Sequence, residues 1–393
     1  MKKICFVTTI GGTIRAFLVG FSKYLIENRN YDVTFVSAYD EILDSMQDEH
    51  LHFIAVPMKR GVSLSAYKSI RCLERIFREN QFDIVQYATP NAAFYASLAA
   101  EKAGINNRLY TQWGIRYMGY GGGIRRAIFK LFEKITCRKS TVVECESFSL
   151  LEFGIKEELY DSNKGSVIGK GSACGVDLFT KNIANREQWR RQIRSELNIP
   201  QEAIVYGYTG RLTKDKGVNE LLYSFKDFQT NHSNAYLIMV GKYDNKDTLD
   251  QTIHQWAENA DNVIFTGWTP YVERYYSAMD VFCSLSYREG FGLVVIEAAA
   301  MGLPAIVTNV PGQKDTIIEG ETGFQVSAKD TVTVIEAMNY FYAHPSERVD
   351  MGHRARRFVE DNFEQKHLFN LLANHRDAVI ENGLHLKSSM NNI

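Results

Sequence analysis

Residues 203–212 read AIVYGYTGRL, a β-branched and aromatic run closing on a glycine, and they repeat the opening of the chain, where KICFVTTI (3–10) closes on Gly11-Gly12. Each run predicts a buried strand, a glycine turn and then a helix. After the first come a helical pattern from Ala16 to Glu27, the strand-like DVTFVSAY (32–39), the helical SIRCLERIFREN (69–80), the strand-like DIVQYAT (83–89) and the helical AAFYASLAAEKAG (92–104). After the second come a helix over 217–229, the strands AYLIMVG (235–241) and NVIFTGW (262–268), helices over 247–258 and 271–278, and the strand DVFCSLS (280–286). Strands alternating with helices imply parallel sheets covered on both faces, so the chain is expected to be α/β with two doubly wound halves. Residues 165–200, rich in glycine and charge and ending at Pro200, read as the linker. FEQKHLFNLLANHRDAVI (363–380) reads as an amphipathic helix and 386–393 as a frayed tail.

Composition narrows the function. A chain of 393 residues, 45% hydrophobic, is long enough for two cores. Its net charge of −1 argues against a nucleic-acid binder, which would carry a basic excess. The charge is unevenly spread: 23 Lys and Arg face 18 Asp and Glu in residues 1–175, and 22 face 28 in 176–393. Only the first half, at +5 against −6, suits an anionic surface. Six scattered cysteines without C-x-x-C spacing predict neither disulfides nor zinc and fit a reducing cytoplasm. No stretch reaches the roughly 18 apolar residues of a membrane span, so any membrane contact is expected to be peripheral.

The chemistry concentrates in YREGFGLVVIEAAAMGLPAI (287–306). Leu293 to Met301 is helical in composition and REGFG is a loop, which sets Gly292 at a helix N-terminus, where free N–H groups and the helix dipole favour a phosphate. Gly290 and Gly292 allow close approach. Glu289 in the loop and Glu297 one turn into the helix are suited to accept hydrogen bonds from sugar hydroxyl pairs. The plain alternative is a solvated Glu289 and a Glu297 that merely complements the dipole. TGRLTKDKG (209–217) brings Arg211 and Lys216, flanked by Gly210 and Gly217, to the end of a strand. It is not a P-loop, but two cations there can neutralise a diphosphate; as a lone motif it also reads as a solvated charge run.

KGSACGVDLFTK (170–181), TGRLTKDKG (209–217), the E-x₇-E pair Glu289/Glu297 and PGQKDTIIEGETGFQV (311–326), in that order along the chain, resemble the family 4 retaining glycosyltransferases of the GT-B fold. The resemblance implies two Rossmann-like domains facing a central cleft: an acceptor domain over 1–172, a nucleotide-sugar domain over 173–362, and a helix over 363–393 returning to the first before the tail frays. It implies that Arg211 and Lys216 bind the donor diphosphate, that Glu289 holds the donor sugar and Glu297 the ribose, and that amides at Phe291 and Gly292 meet the phosphates. Arg211, Lys216 and Glu289 would carry the catalysis, without a side-chain nucleophile, a cofactor or a metal, since no D-x-D occurs in the sequence. On the acceptor side Gly11, Gly12, Thr13 and Arg15 resemble the family's N-terminal glycine loop. Trp113 and Arg116 stand in QWGIRYMGYGGGIRR (112–126), where many relatives have a histidine before the glycine. Trp113 reads as a stacking platform for an apolar sugar face, with a buried core tryptophan the commoner outcome.

The implied activity is transfer of a hexosyl or N-acetylhexosaminyl group from a nucleoside-diphosphate sugar, with UDP favoured by family frequency. The implied acceptor is a bacterial capsule, exopolysaccharide or O-antigen precursor, polyprenyl-diphosphate-linked or oligosaccharide. IRRAIFKLFEKITCRK (124–139) reads as a basic amphipathic helix, suited to an anionic inner-leaflet surface or simply to packing on the sheet. Rival readings are a GT-B-like nucleotide-sugar epimerase, a non-catalytic nucleotide-sugar sensor, and a dinucleotide oxidoreductase, the last disfavoured because G-x-G-x-x-G is missing after the first strand.

Overall fold

The structure, a computed structural model, describes residues 1–58, 66–244 and 246–382, so the tail expected at 386–393 lies outside the described residues. The chain divides into two compact units, Met1–Cys174 with Lys366 onward, and Gly175–Gln365.

The first unit is built on β1 (Lys2–Ile10), β2 (Tyr31–Ala38), β3 (Leu51–Ala55), β4 (Ile84–Tyr87), β5 (Arg108–Gln112), β6 (Val142–Cys145) and β7 (Gly165–Val167). They form one parallel sheet in the order β3-β2-β1-β4-β5-β6-β7. The second unit carries β8 (Ile204–Thr209), β9 (Ala235–Val240), β10 (Val263–Gly267), β11 (Val281–Ser284), β12 (Ala305–Thr308) and β13 (Gly323–Val326), parallel in the order β10-β9-β8-β11-β12-β13. The central strands are buried on both faces, which explains their continuous apolar runs: every residue of β8 is buried. In both sheets the chain winds outward three strands and returns to the other side of its starting strand. The order therefore reverses between β1 and β4, and between β8 and β11, and the crevice outside the strand C-termini at such a reversal is where α/β sheets bind ligands.

Two local expectations are corrected. The interval 165–200 contains the crossing between the units, at Cys174/Gly175, but is not linker throughout: it supplies β7 and the helix Arg186–Glu196, whose Arg194 is wholly buried and donates to the carbonyls of Ala278 (3.0 Å), Gln201 and Ala203 (both 2.8 Å) and to Asp280 (2.8 Å). Gly11, Gly12 and Thr13 make no glycine loop either. The helix Gly11–Phe17 starts directly after β1, and a second helix, Val19–Arg29, follows a break at Leu18. Gly11 is required there because a side chain would collide with Asp40.

The helix Gln365–Asn382 packs on the first unit. Its Asp377 accepts from Lys2 (2.8 Å), Tyr31 (2.7 Å) and Arg29 (3.5 Å), and Phe369 meets the Phe21 ring at 5.5 Å. Arg376 and His375 reach Glu144 at the end of β6, with Arg376 also donating to Gln86 of β4 at 3.1 Å.

Candidate active site

The loops after β8 and β11 leave the second sheet where its strand order reverses, and backbone contacts fix them. Gly210 N–H donates to Val240 at 3.0 Å and Leu212 N–H to Lys242 at 2.8 Å, so residues 210–212 run beside 240–243. That approach needs Gly241, at φ +152°, since any Cβ would strike the Gly210 carbonyl oxygen. Gly217, at φ +69°, in the same way lies flat against the Leu285 carbonyl. Tyr287 N–H then donates to the Asp215 carbonyl at 2.9 Å, and Arg288 pairs with the Asp215 carboxylate at 3.1 Å. Burial works against the charge on Asp215, but the Thr213 hydroxyl and the Arg288, Lys216 and Arg211 cations hold its carboxyl below the usual range. From the third side, the buried Gln313 of the 311–326 stretch donates to the Ser284 carbonyl, and the Thr308 hydroxyl donates to that of Ser286 at 2.5 Å.

These contacts bring Lys216 and Glu289 into an ion pair. The same carboxylate oxygen accepts from the Ser286 hydroxyl at 2.8 Å, and both charged side chains are largely sheltered. Arg211 points outward from a backbone whose carbonyl is anchored by the buried Tyr208 hydroxyl (2.7 Å), and its guanidinium pairs with Asp244 at 2.5 Å. Gly292 caps the helix Leu293–Ala300. The Phe291 ring is core, 5.2 Å from Phe363 among Val176, Ile296 and Val359, so whatever this residue offers a ligand is its backbone N–H.

Glu297 belongs to a separate network. Its carboxylate lies 3.3 Å from the Tyr276 hydroxyl, itself 2.8 Å from Thr209 at the end of β8, and a Lys181–Glu273 pair (3.6 Å) stands nearby. Burial pushes the Glu297 carboxyl above its ordinary value; Lys181 and the Tyr276 hydroxyl pull it part of the way back, and Glu273 adds to the rise. The E-x₇-E spacing thus sets one carboxylate beside a cation and the other in a tyrosine-held pocket, with the capped helix end between them in sequence.

The acceptor-side candidates lie in the first unit. Thr13 falls in the first turn of the helix that replaces the expected loop, and Arg15 pairs with Asp40 at 3.3 Å. Trp113 follows β5 with its ring 5.1 Å from Phe17, and its indole N–H is buried without a hydrogen-bond partner. That indole lines a small hollow with Gln86, Thr111, Glu144, Ser172 and Arg376. The Arg116 guanidinium lies 4.2 Å over the Phe129 ring. Among the described residues no group of three His, Cys, Asp or Glu side chains could hold a metal ion.

Sequence reading missed Asp244, Asp215, Tyr276 and Lys181. For Asp244 a signal existed, an acidic residue just beyond the C-terminal end of a predicted strand; for Tyr276 and Lys181 none did, since their partners are distant in sequence.

Comparison with known proteins agrees with this architecture. Residues 190–358 match the family described as glycosyl transferases group 1, and residues 3–147 the family described as glycosyl transferase 4-like. The chain is 32% identical over 366 residues to the capsular polysaccharide biosynthesis glycosyltransferase CapM of Staphylococcus aureus, covering 93% of this chain and 94% of that protein. It is 24% identical over 333 residues to an Escherichia coli UDP-Gal:alpha-D-GlcNAc-diphosphoundecaprenol alpha-1,3-galactosyltransferase, covering 84% of each. Among solved structures, Anabaena Alr3699/HepE in complex with UDP-glucose superimposes with a TM-score of 0.77 at 15% identity, over 96% of this chain and all of that one. A fold of two parallel-sheet α/β units, matches to both families and a near full-length relative at this identity make the chain a member of the group 1, family 4-like glycosyltransferases of the GT-B fold.

Proposed function

We propose that the chain transfers a hexosyl or N-acetylhexosaminyl group, with retention at the anomeric carbon, from a nucleoside-diphosphate sugar. The acceptor is a hydroxyl of a bacterial surface-polysaccharide precursor carried on a polyprenyl diphosphate. UDP as the nucleoside diphosphate is supported by the UDP-Gal donor of the E. coli relative and the UDP-glucose ligand of HepE, and the lipid-linked acceptor by that relative's diphosphoundecaprenol substrate. The capsular assignment of CapM supports a surface polysaccharide as product.

The observation that carries this reading is the Lys216–Glu289 pair, which ties the loop after β8, with its Arg211, to the loop leading into the Gly292-capped helix where the order of the second sheet reverses. Cations and helix N–H groups there stabilise charge that develops on a departing diphosphate. Lys216 neutralises Glu289, which allows that carboxylate to accept hydroxyls of the donor sugar beside a polyanion. Glu297 accepts the ribose hydroxyls, with Tyr276 holding it. The leaving phosphate takes the acceptor's proton, so neither a side-chain nucleophile nor a metal is needed. Gly12, Thr13, Arg15, Trp113 and Arg116 face the acceptor. The test is acceptor-dependent release of nucleoside diphosphate. Lys216→Ala should lower kcat/KM for the donor at least a hundredfold, roughly the cost of losing a charge partner in a sheltered site. Glu297→Gln should raise the donor KM. Donor binding without release would leave a sensor, and release unaffected by Lys216→Ala would remove the assignment.

The surface of helix Gly123–Lys139 supports a membrane location. Ile124, Ile128 and Leu131 are 81%, 42% and 55% exposed and stand at i, i+4 and i+7 on one face. Its basic residues are only partly available: Arg126 and Lys130 pair with Glu157 (3.1 and 2.8 Å), Lys134 with Glu158 (3.9 Å) and Lys139 with Glu101 (2.5 Å), leaving Arg125 and Arg138 exposed beside the apolar stripe. No helix among the described residues is long and apolar enough to cross a membrane. Flotation with anionic liposomes should carry the protein upward, and Ile128→Asp with Leu131→Asp should reduce binding about tenfold or more. Absence of flotation at every salt concentration would remove the membrane from the reading.

A further inference from the structure

Arg211, read above as a diphosphate ligand, is already engaged by a carboxylate. The Asp244 contact is 2.5 Å, and the two side chains are 56% and 53% exposed. The neighbourhood is built in, not a chance meeting of long side chains. Leu212 bridges to Tyr243 and donates to Lys242, Gly210 donates to Val240, and Gly241 packs on Gly210, so the backbone sets residue 244 beside residue 211. The other pair differs: Lys216 and Glu289 are sheltered, and Glu289 is also held by Ser286. A carboxylate fixed in that way stays put, whereas the exposed Asp244 is held at its head group by an ion pair open to water.

We propose that Asp244 is an exchangeable counter-ion for Arg211: it holds the guanidinium while the site is empty, and yields it to the diphosphate when the donor binds. It recovers the guanidinium as the nucleoside diphosphate leaves. This rests on the reading of Arg211 as a diphosphate ligand. The physical consequence is a competition. Every nucleotide that docks must break the Arg211–Asp244 pair and accept a negative charge close to its phosphates, so Asp244 lowers affinity for donor and spent nucleotide alike and hastens product release. Exposed ion pairs are weak, so the penalty is modest, about two- to fivefold in affinity, and it shrinks with added salt.

The experiment is a double-mutant cycle on nucleotide binding, by calorimetry at low and high salt, with UDP and GDP as diphosphate probes and uridine as the uncharged control. Asp244→Asn keeps the shape of an exposed side chain and removes its charge, so folding is not at stake. The expected result is diphosphate binding tightened about two- to fivefold by Asp244→Asn at low salt, no gain for uridine, and no gain when Arg211→Ala is also present. Unchanged or weaker binding in Asp244→Asn, while Arg211→Ala alone weakens binding, overturns the counter-ion role and leaves the diphosphate site standing. A gain that persists without Arg211 overturns it as well. If Arg211→Ala has no effect, or neither diphosphate binds, the reading of the site fails and the proposal falls with it.

Discussion

Glu144 and Glu297 are sheltered glutamates whose neighbours push them in opposite directions. Burial raises both carboxyls, but at Glu144 the Arg376 guanidinium and His375 outweigh it and hold the group at about 2, whereas at Glu297 Lys181 and Tyr276 offset burial only in part. The consequences for stability are opposite in sign. Glu144 titrates below its ordinary 4.5 in the folded chain, so its contribution is complete above about pH 4.5 and is lost as pH falls toward 2. A shift of that size is on the order of 3 kcal/mol. Glu297, raised in the fold, costs stability above its folded pKa and nothing below its unfolded one. Glu144→Gln should therefore destabilise the protein by about 3 kcal/mol at pH 7, because it leaves Arg376 buried without its carboxylate, and the deficit should fade as the wild type is itself protonated. Denaturant unfolding from pH 7 down to pH 3 checks this; a deficit independent of pH would assign the loss to packing instead of charge.

At the level of elements, what was legible is what is local. KICFVTTI, DVTFVSAY and AIVYGYTGRL announce β1, β2 and β8 because strands covered on both faces are dominated by apolar, aromatic and β-branched residues. The overlooked strands are short or carry buried polar groups. β5 includes Gln112, which donates to the buried Glu133 at 2.6 Å, and β6 includes Glu144, whose partner Arg376 lies 232 residues further on. No window of sequence reveals that a charge will be satisfied at that distance. The interval 165–200 misleads for the same reason, since its glycines and charges look solvated until Arg194 is seen capping the carbonyls of Ala278, Gln201 and Ala203. The candidate site divides likewise. Arg211, Lys216, Glu289 and Glu297 were named from spacing within their own loops and helix, but the pairing of Lys216 with Glu289 and of Arg211 with Asp244 needs β8, β9 and β11 side by side. The helix 123–139 shows the converse. Its amphipathic pattern was plain, yet four of its six basic residues turn out to be matched by acidic neighbours, and the exposed feature is the isoleucine and leucine stripe.

In the whole molecule, the first unit is completed by a segment that follows the second in sequence. The helix Gln365–Asn382 supplies Asp377 to the start of β1 and β2, Phe369 to the aromatic packing of Phe21, and Arg376 to the only acidic residue of β6. These groups face the first sheet, so the helix acts as a late-synthesised part of the first unit, which must wait for the second to be made before its own polar network closes. Removing residues 366–393 should then strip the first unit of partners for Lys2, Tyr31, Gln86 and Glu144 while leaving the interior of Gly175–Gln365 intact. Loss of a buried charge partner and the packing around it costs several kcal/mol, a large part of a domain's stability of about 5–15 kcal/mol. Hydrogen exchange on the truncated chain should accordingly show protection collapsing in β1, β2, β4 and β6 and persisting in β8, β9 and β11. Equal loss in both sheets would mean that the final helix stabilises the molecule as one cooperative body, and unchanged protection in the first sheet would mean that the ion pair at Glu144 contributes nothing to its folding.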